Sequence, residues 1–157
     1  MKIVKKMAII LLLVLLAMQF YRPPNNFSQG DHTVNFSVET NPSNEVRAIL
    51  RNACYDCHSN NTQYPWYNTI APISYWLYDH VEGGKEAMNL STWGDYTTRT
   101  KSQMLGKVIE VIENDEMPLK PYTWMHSEAK LTSQQRQAVI EWAKRSRVLY
   151  ELNQQPR

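Results

Sequence analysis

Cysteine is nearly missing from this chain: 157 residues hold only two, Cys54 and Cys57. A closed structural zinc site wants four Cys/His ligands, usually in two clustered pairs, and the second pair is absent here. Charge of one sign is also scarce. The formal net charge is +2, and Lys2, Lys5 and Lys6 supply that excess. The remainder is close to neutral and carries no electrostatic footprint for nucleic acid. The one basic run, Lys144 to Arg147, reads as cations at a helix end, where the macrodipole favours them. No internal repeat and no sustained strand alternation occur, and the βαβ pattern that accompanies a thioredoxin-like Cys pair is lacking. With no cysteine near the N-terminus, lipid attachment through an N-terminal Cys is excluded.

What the chain does have is the order Cys54-Tyr55-Asp56-Cys57-His58 inside "NACYDCHSN". Cys-x-x-Cys-His is the attachment signature of a c-type haem: two thiols for the vinyl groups and an adjacent imidazole for the iron. Residues three apart on a helical turn point the same way, so both sulfurs can reach one porphyrin edge. The competing reading is a disulfide within the pair, with His58 incidental.

The N-terminus reads "MKIVKKMAIILLLVLLAMQFYRPPNN". A positive stretch followed by an apolar one is either a secretory signal or a short membrane anchor. The run from Met7 to Phe20 would make a helix of about 21 Å, short against about 30 Å of hydrocarbon, which suits a signal. Its exit suits an anchor. Ala17-Met18-Gln19 lacks the small residue expected before a cleavage site, and Phe20-Tyr21-Arg22 resembles an interfacial border. The expectation is an uncleaved anchor over residues 1–21 and a domain exported to the periplasmic side of the inner membrane. A Pro- and Asn-rich tether is expected over 22–40, a helical domain over 41–150 and a short tail over 151–157.

Within the domain, Val46, Ile49, Leu50 and Ala53 form an amphipathic stripe, with Asn41 or Ser43 as caps. After a loop over 60–72, Ile73, Trp76, Leu77, His80 and Val81 share a face of a helix ended by Gly83-Gly84. Met104, Leu105, Val108, Ile109 and Ile112 repeat with helical spacing. The last helix opens with a capping box, Thr132 to Gln135, and turns Val139, Ile140, Trp142 and Ala143 inward. The fold class is all-α.

An iron held by His58 has a sixth position, and Met/His ligation is the usual electron-transfer arrangement. Met88, Met104, Met117, Met125, His80 and His126 are the candidates. Met117 stands out because it precedes Pro118, which biases its backbone towards an extended conformation. His126 is its main rival. Tyr64, Trp66, Tyr67, Tyr75, Trp76, Trp93, Tyr122 and Trp124 are expected, as a set, to supply flat apolar walls for the porphyrin.

The runs "CYDCHSNNTQYPWYNTIAPISYWLYDHVEGG", "MNLSTW" and "EMPLKPYTWMHSEAKLTSQQRQAVIEWA" resemble the haem-binding domain family of small exported bacterial proteins, and "QFYRPPNN" is similar to the start of its tether. The resemblance implies one covalent haem c on Cys54, Cys57 and His58 in a cytochrome c-like helical fold. On this reading the protein is an electron carrier rather than an enzyme, tethered to the membrane and serving a redox partner protein. The alternative is a haem-based sensor or peroxidase-like enzyme with an open or labile distal site. No neighbouring His and Arg of the peroxidase kind is found in the sequence.

Overall fold

A computed structural model of the chain describes residues 2–30 and 32–152. Among these residues there are helices and turns and no strand, so the all-α expectation holds. Met1 and residues 153–157, most of the expected tail, lie outside the described residues.

The centre of the domain is a pair of long helices, α6 (Thr98–Glu113) and α8 (Ser133–Leu152), packed along their lengths. Leu105, Ile109 and Ile112 of α6 meet Val139, Ile140, Trp142 and Ala143 of α8, all buried. The capping box closes as its sequence predicts. Thr132 N–H donates to Gln135 Oε1 (2.9 Å) and Gln135 N–H donates to Thr132 Oγ1 (3.2 Å), satisfying two donors that a helix start leaves unpaired. α8 then continues to Leu152, so Lys144 to Arg147 lie inside the helix and do not end it. They are held by pairs instead: Lys144 with Glu113 (3.2 Å) and Arg147 with Glu151 (2.8 Å).

The segment expected to be a tether is largely part of the folded body. Residues Val34–Thr40 form α2, and Phe36 on it is 1 % exposed, T-shaped against Trp93 (5.1 Å) and Trp142 (5.8 Å). Burying one Phe side chain stabilises by about 1.5–3 kcal/mol, enough to fix a seven-residue helix that would not persist alone. The last carbonyl of α2, on Thr40, accepts from Trp142 Nε1 (3.0 Å) and Ser146 Oγ (3.2 Å). Asn41 follows with φ 40°, a left-handed C-cap; it is Ser43 that caps the next helix, accepting from Val46 N–H (3.2 Å).

Around this core the chain places α3 (Asn44–Ala53), α4 (Tyr55–His58), α5 (Ile73–Ala87) and α7 (Lys120–Met125). Val46, Ile49 and Leu50 of α3 are buried, and Cys54 N–H donates to the Leu50 carbonyl (2.9 Å), so α3 runs directly into the cysteine turn. α5 does not stop at Gly83-Gly84 but continues to Ala87. Gly84 is where α5 presses on α4, and a Cβ there would meet the Cys57 backbone. A glycine that reads as a helix stop can equally mark close approach.

α1 (Lys2–Met18) exposes every residue from Lys2 to Ala17 and meets the body only at its base. No described helix is long and apolar enough to cross a membrane, so the expected anchor gains no support from helix length.

Candidate functional site

Cys54, Cys57 and His58 are brought to one place because α3 ends where α4 begins. Cys57 N–H (3.3 Å) and His58 N–H (2.9 Å) both donate to the Cys54 carbonyl, closing the turn that carries the motif. Neither thiol is in a disulfide. Burial, with a smaller contribution from Cys57, pushes the Cys54 thiol up to about 12; burial and then Asp56 push Cys57 up to about 11. Both are neutral thiols at pH 7, whereas a metal-binding or exchanging cysteine is a thiolate. Among the described residues no three His, Cys, Asp or Glu side chains converge as a metal site.

His58 is oriented by a backbone carbonyl. Its Nδ1 lies 3.0 Å from the Met88 oxygen. A carbonyl can only accept, so Nδ1 carries a proton, and in the neutral ring the lone pair is on Nε2. Sequence reasoning weighed Met88 only as a thioether; its carbonyl is what matters, and no side-chain pattern could have revealed that.

Two cavities meet at this imidazole. One, of about 290 Å³, is walled by Cys57, Gly83, Gly84 and Leu119; the other, of about 360 Å³, by Cys54, Met104, Val108 and Val111. His58, Ala53, Ala87, Met117 and Pro118 line both. Met117 is thereby brought to the same hollow as His58. The turn that presents it follows the end of α6: Asp115 has φ 59°, Glu116 and Met117 N–H groups both return to the Val111 carbonyl (2.9 and 3.2 Å), and the Met117–Pro118 bond is cis. Arg136 of α8 clamps this turn, donating from Nη1 to the Ile112 carbonyl (2.5 Å) and from Nη2 to Asp115 Oδ1 (2.6 Å).

His126 lines neither of those two cavities. Its Nε2 is 3.2 Å from the Tyr67 hydroxyl and its Nδ1 3.2 Å from Glu128 Oε1, and its ring stacks on Tyr122 at 4.4 Å. It borders a recess of only about 30 Å³ on another side of Cys57, with Tyr64 and Trp76. Met125 is exposed. His80 lines the smaller of the two cavities, with Nδ1 against the Trp76 carbonyl (2.8 Å).

The expected aromatic walls are not there. Of the eight aromatics, only Tyr122 lines a cavity that contains His58. Trp93 is 0 % exposed in the core between α2 and α8, bonded through Nε1 to Tyr150 (3.0 Å), while Trp66 and Trp124 are exposed. The hollow is walled mainly by the alanine, glycine, valine and methionine that α5 and α6 present to it, with Asp79 and His80 of α5 and Lys107 of α6 also on its border.

Residues outside the motif hold it in place. Asp56 accepts from Gln63 N–H (3.0 Å) and from the Tyr122 hydroxyl (2.8 Å), joining α4 to α7. That bond and burial raise the Tyr122 hydroxyl well above the ordinary phenol range, burial being the larger cause. Asn26, in the expected tether, donates from Nδ2 to the Ser59 carbonyl (2.8 Å) and Thr62 Oγ1 (2.9 Å). Its own carbonyl accepts from Thr62 N–H (3.0 Å). A larger cleft, about 660 Å³, opens between α2, α3 and the loop after His58; it is lined by Arg47, Arg51 and Tyr55 but by none of Cys54, Cys57 or His58.

A protein-family model described as the haem-binding domain matches residues 13–145, most of the chain. The chain belongs to the haem-binding domain family. No curated protein and no solved structure matches it. Membership makes haem the cofactor, and the hollow fits that group. It is mostly apolar, it holds an imidazole whose Nδ1 faces a backbone carbonyl, and two thiols outside any disulfide lie on its border, Cys54 on one cavity and Cys57 on the other. The haem-binding domain thus comprises more than the helical bundle alone, since the matched stretch begins inside α1.

Proposed function

We propose that this haem-binding domain is a monohaem c-type cytochrome that carries electrons on the periplasmic side of the inner membrane, tethered there by its N-terminus. The observation that carries the reading is the convergence of Cys54, Cys57, His58 and Met117 on one apolar hollow.

When bound, haem supplies a one-electron Fe(III)/Fe(II) couple. The chain's part is to hold and tune it. Cys54 and Cys57 would be the attachment points: a thiol S–H adding across each vinyl C=C, sulfur to one carbon and hydrogen to the other, would need no oxidant. His58 would offer Nε2 to the iron, with its Nδ1–H bond to the Met88 carbonyl fixing the ring and raising its basicity. Met117, which borders the same two cavities, would offer a thioether, a ligand that raises the potential relative to two imidazoles. The mostly apolar lining would lower the local dielectric around the group. The engagement of both His126 nitrogens, and its absence from the two cavities, favours Met117 over His126.

The test is spectroscopic. Protein matured in a periplasm with haem-attachment machinery should keep its Soret colour through acid-acetone extraction, and Cys54→Ala with Cys57→Ala should lose it. Oxidised wild type should show the weak far-red band of a methionine–iron bond, and Met117→Ala should not. Colour that extracts completely would sink covalent attachment; the band persisting in Met117→Ala would sink the ligand assignment. Rapid carbon monoxide binding to the reduced protein would favour the sensor or peroxidase-like alternative.

A further inference from the structure

The base of α1 is bolted to the body. Gln19 pairs with the Ala71 backbone in both directions: Nε2 donates to the Ala71 carbonyl (3.1 Å) and Oε1 accepts from Ala71 N–H (3.0 Å). The Tyr75 hydroxyl, beside it on α5, lies 2.7 Å from the Met18 carbonyl and 3.0 Å from that of Tyr21, and the Tyr21 and Tyr75 rings meet at 6.0 Å. A flexible tether would make none of these contacts. They flank a set of apolar side chains left open to solvent: Phe20 (92 % exposed), Tyr21, Ile70 (40 %) and Ile73 (43 %).

Above this base α1 is apolar on every side and exposed on every side from Met7 to Ala17. A helix that is hydrophobic all round is stable only when buried in protein or lipid. Among the described residues no part of the body covers it. Its 17 residues make about 25 Å, several ångströms less than about 30 Å of hydrocarbon. A short apolar helix is accommodated by thinning the bilayer and drawing its flanks into the interface. Lys2, Lys5 and Lys6 can snorkel at one end. At the other end the flank is the bolted rim, where Tyr21 is of the kind enriched at the headgroup level and Phe20, Ile70 and Ile73 add exposed apolar surface.

We infer that the rim of Phe20, Tyr21, Ile70 and Ile73 is a lipid-contacting surface, seated in the headgroup layer by the Gln19–Ala71 clasp, so that α1 and the domain meet the bilayer as one rigid piece. The inference rests on the membrane-tethered part of the reading above and deepens it. The haem hollow then has a fixed orientation over the membrane.

The test uses the full haem-loaded chain in vesicles of phosphatidylcholine and phosphatidylglycerol. A nitroxide is placed by Ile70→Cys or Ile73→Cys, with Gln134→Cys on the outer face of α8 as the aqueous control. Power saturation compares oxygen, concentrated in lipid, with a water-soluble nickel chelate. At 70 and 73 the ratio should favour oxygen; at 134 it should favour nickel. Adding Gln19→Ala should bring position 70 to the control value while the chain still sediments with the vesicles. Water-like behaviour at 70 and 73 in sedimented protein overturns the rim and leaves the tether standing. Failure to sediment, or an intact mass lacking α1, overturns the tether itself and the rim with it.

Discussion

Gly84 of α5 lies so close to Cys57 that a Cβ on it would stand 2.5 Å from the Cys57 carbonyl oxygen and 2.9 Å from the Cys57 Cβ. Backbone, not a flexible side-chain end, is what it would strike. α5 can therefore rest on the cysteine turn only through a glycine, and the hollow beside His58 depends on that contact.

Gly84→Ala should push α5 away from α4, costing about 1–3 kcal/mol and lowering the fraction of protein that retains haem. Gly83, next in sequence, has nothing within 4 Å of its would-be Cβ. Gly83→Ala should be neutral or stabilising by about 0.4–1 kcal/mol, since alanine restricts the unfolded chain at no steric cost. Urea unfolding and the Soret-to-protein absorbance ratio read both. Equal effects of the two substitutions would refute the contact.

Phe36→Ala should destabilise by about 3–5 kcal/mol, the range for removing a fully buried aromatic. Val38, on the same short helix but exposed, should tolerate Val38→Ala within about 0.5 kcal/mol. A negligible change for Phe36→Ala in chemical denaturation would return residues 34–40 to the status of a tether.

Arg136 should act on Met117 through the turn that precedes it. In Arg136→Ala the Ile112 carbonyl loses its donor, a net loss of about 0.5–1.5 kcal/mol, and the methionine–iron band should weaken or broaden. Arg136→Lys should restore it only in part, because a single ammonium cannot serve both Ile112 and Asp115. Asp115→Asn, at an exposed carboxylate, should leave the band nearly intact. An unchanged band in Arg136→Ala would show that the turn holds Met117 unaided.

Tyr150 couples stability to alkaline pH. Its hydroxyl donates to Glu39 Oε2 (2.9 Å) and accepts from Trp93 Nε1 (3.0 Å). Burial chiefly, with the Glu39 bond and charge adding and Trp93 opposing, raises it from 10.0 to about 12. The folded pKa exceeds the unfolded one, so the contribution is fully present below pH 10 and is lost as pH rises through about 12. Thermal melts of wild type and Tyr150→Phe should therefore converge between those limits. A constant gap across that window would remove Tyr150 as the cause.

Periodicity of apolar residues was enough to reveal α3, α5, α6 and α8, because a helix face must match its 3.6-residue repeat whatever lies opposite. The cysteine spacing was likewise legible, and the Thr132–Gln135 box closed as read, since both depend on contacts within a few residues. Short α2 was not legible: Val34, Phe36 and Val38 alternate with polar residues instead of following helical spacing, and only Trp93 and Trp142, distant in sequence, make the burial of Phe36 worthwhile.

By itself, then, the sequence determined local matters: helical class, the haem signature and the proline that sets off Met117. Tertiary structure decided which groups meet. The Met88 carbonyl behind His58, Gly84 against Cys57, Asn26 beneath the loop after the motif and Gln19 on Ala71 are all contacts between segments far apart in the chain. Several of these partners are backbone atoms, which every residue carries alike, so no residue type announces them. Their positions follow from how α5 and the N-terminal segment pack against the cysteine turn and its loop, and packing is a property of the whole chain.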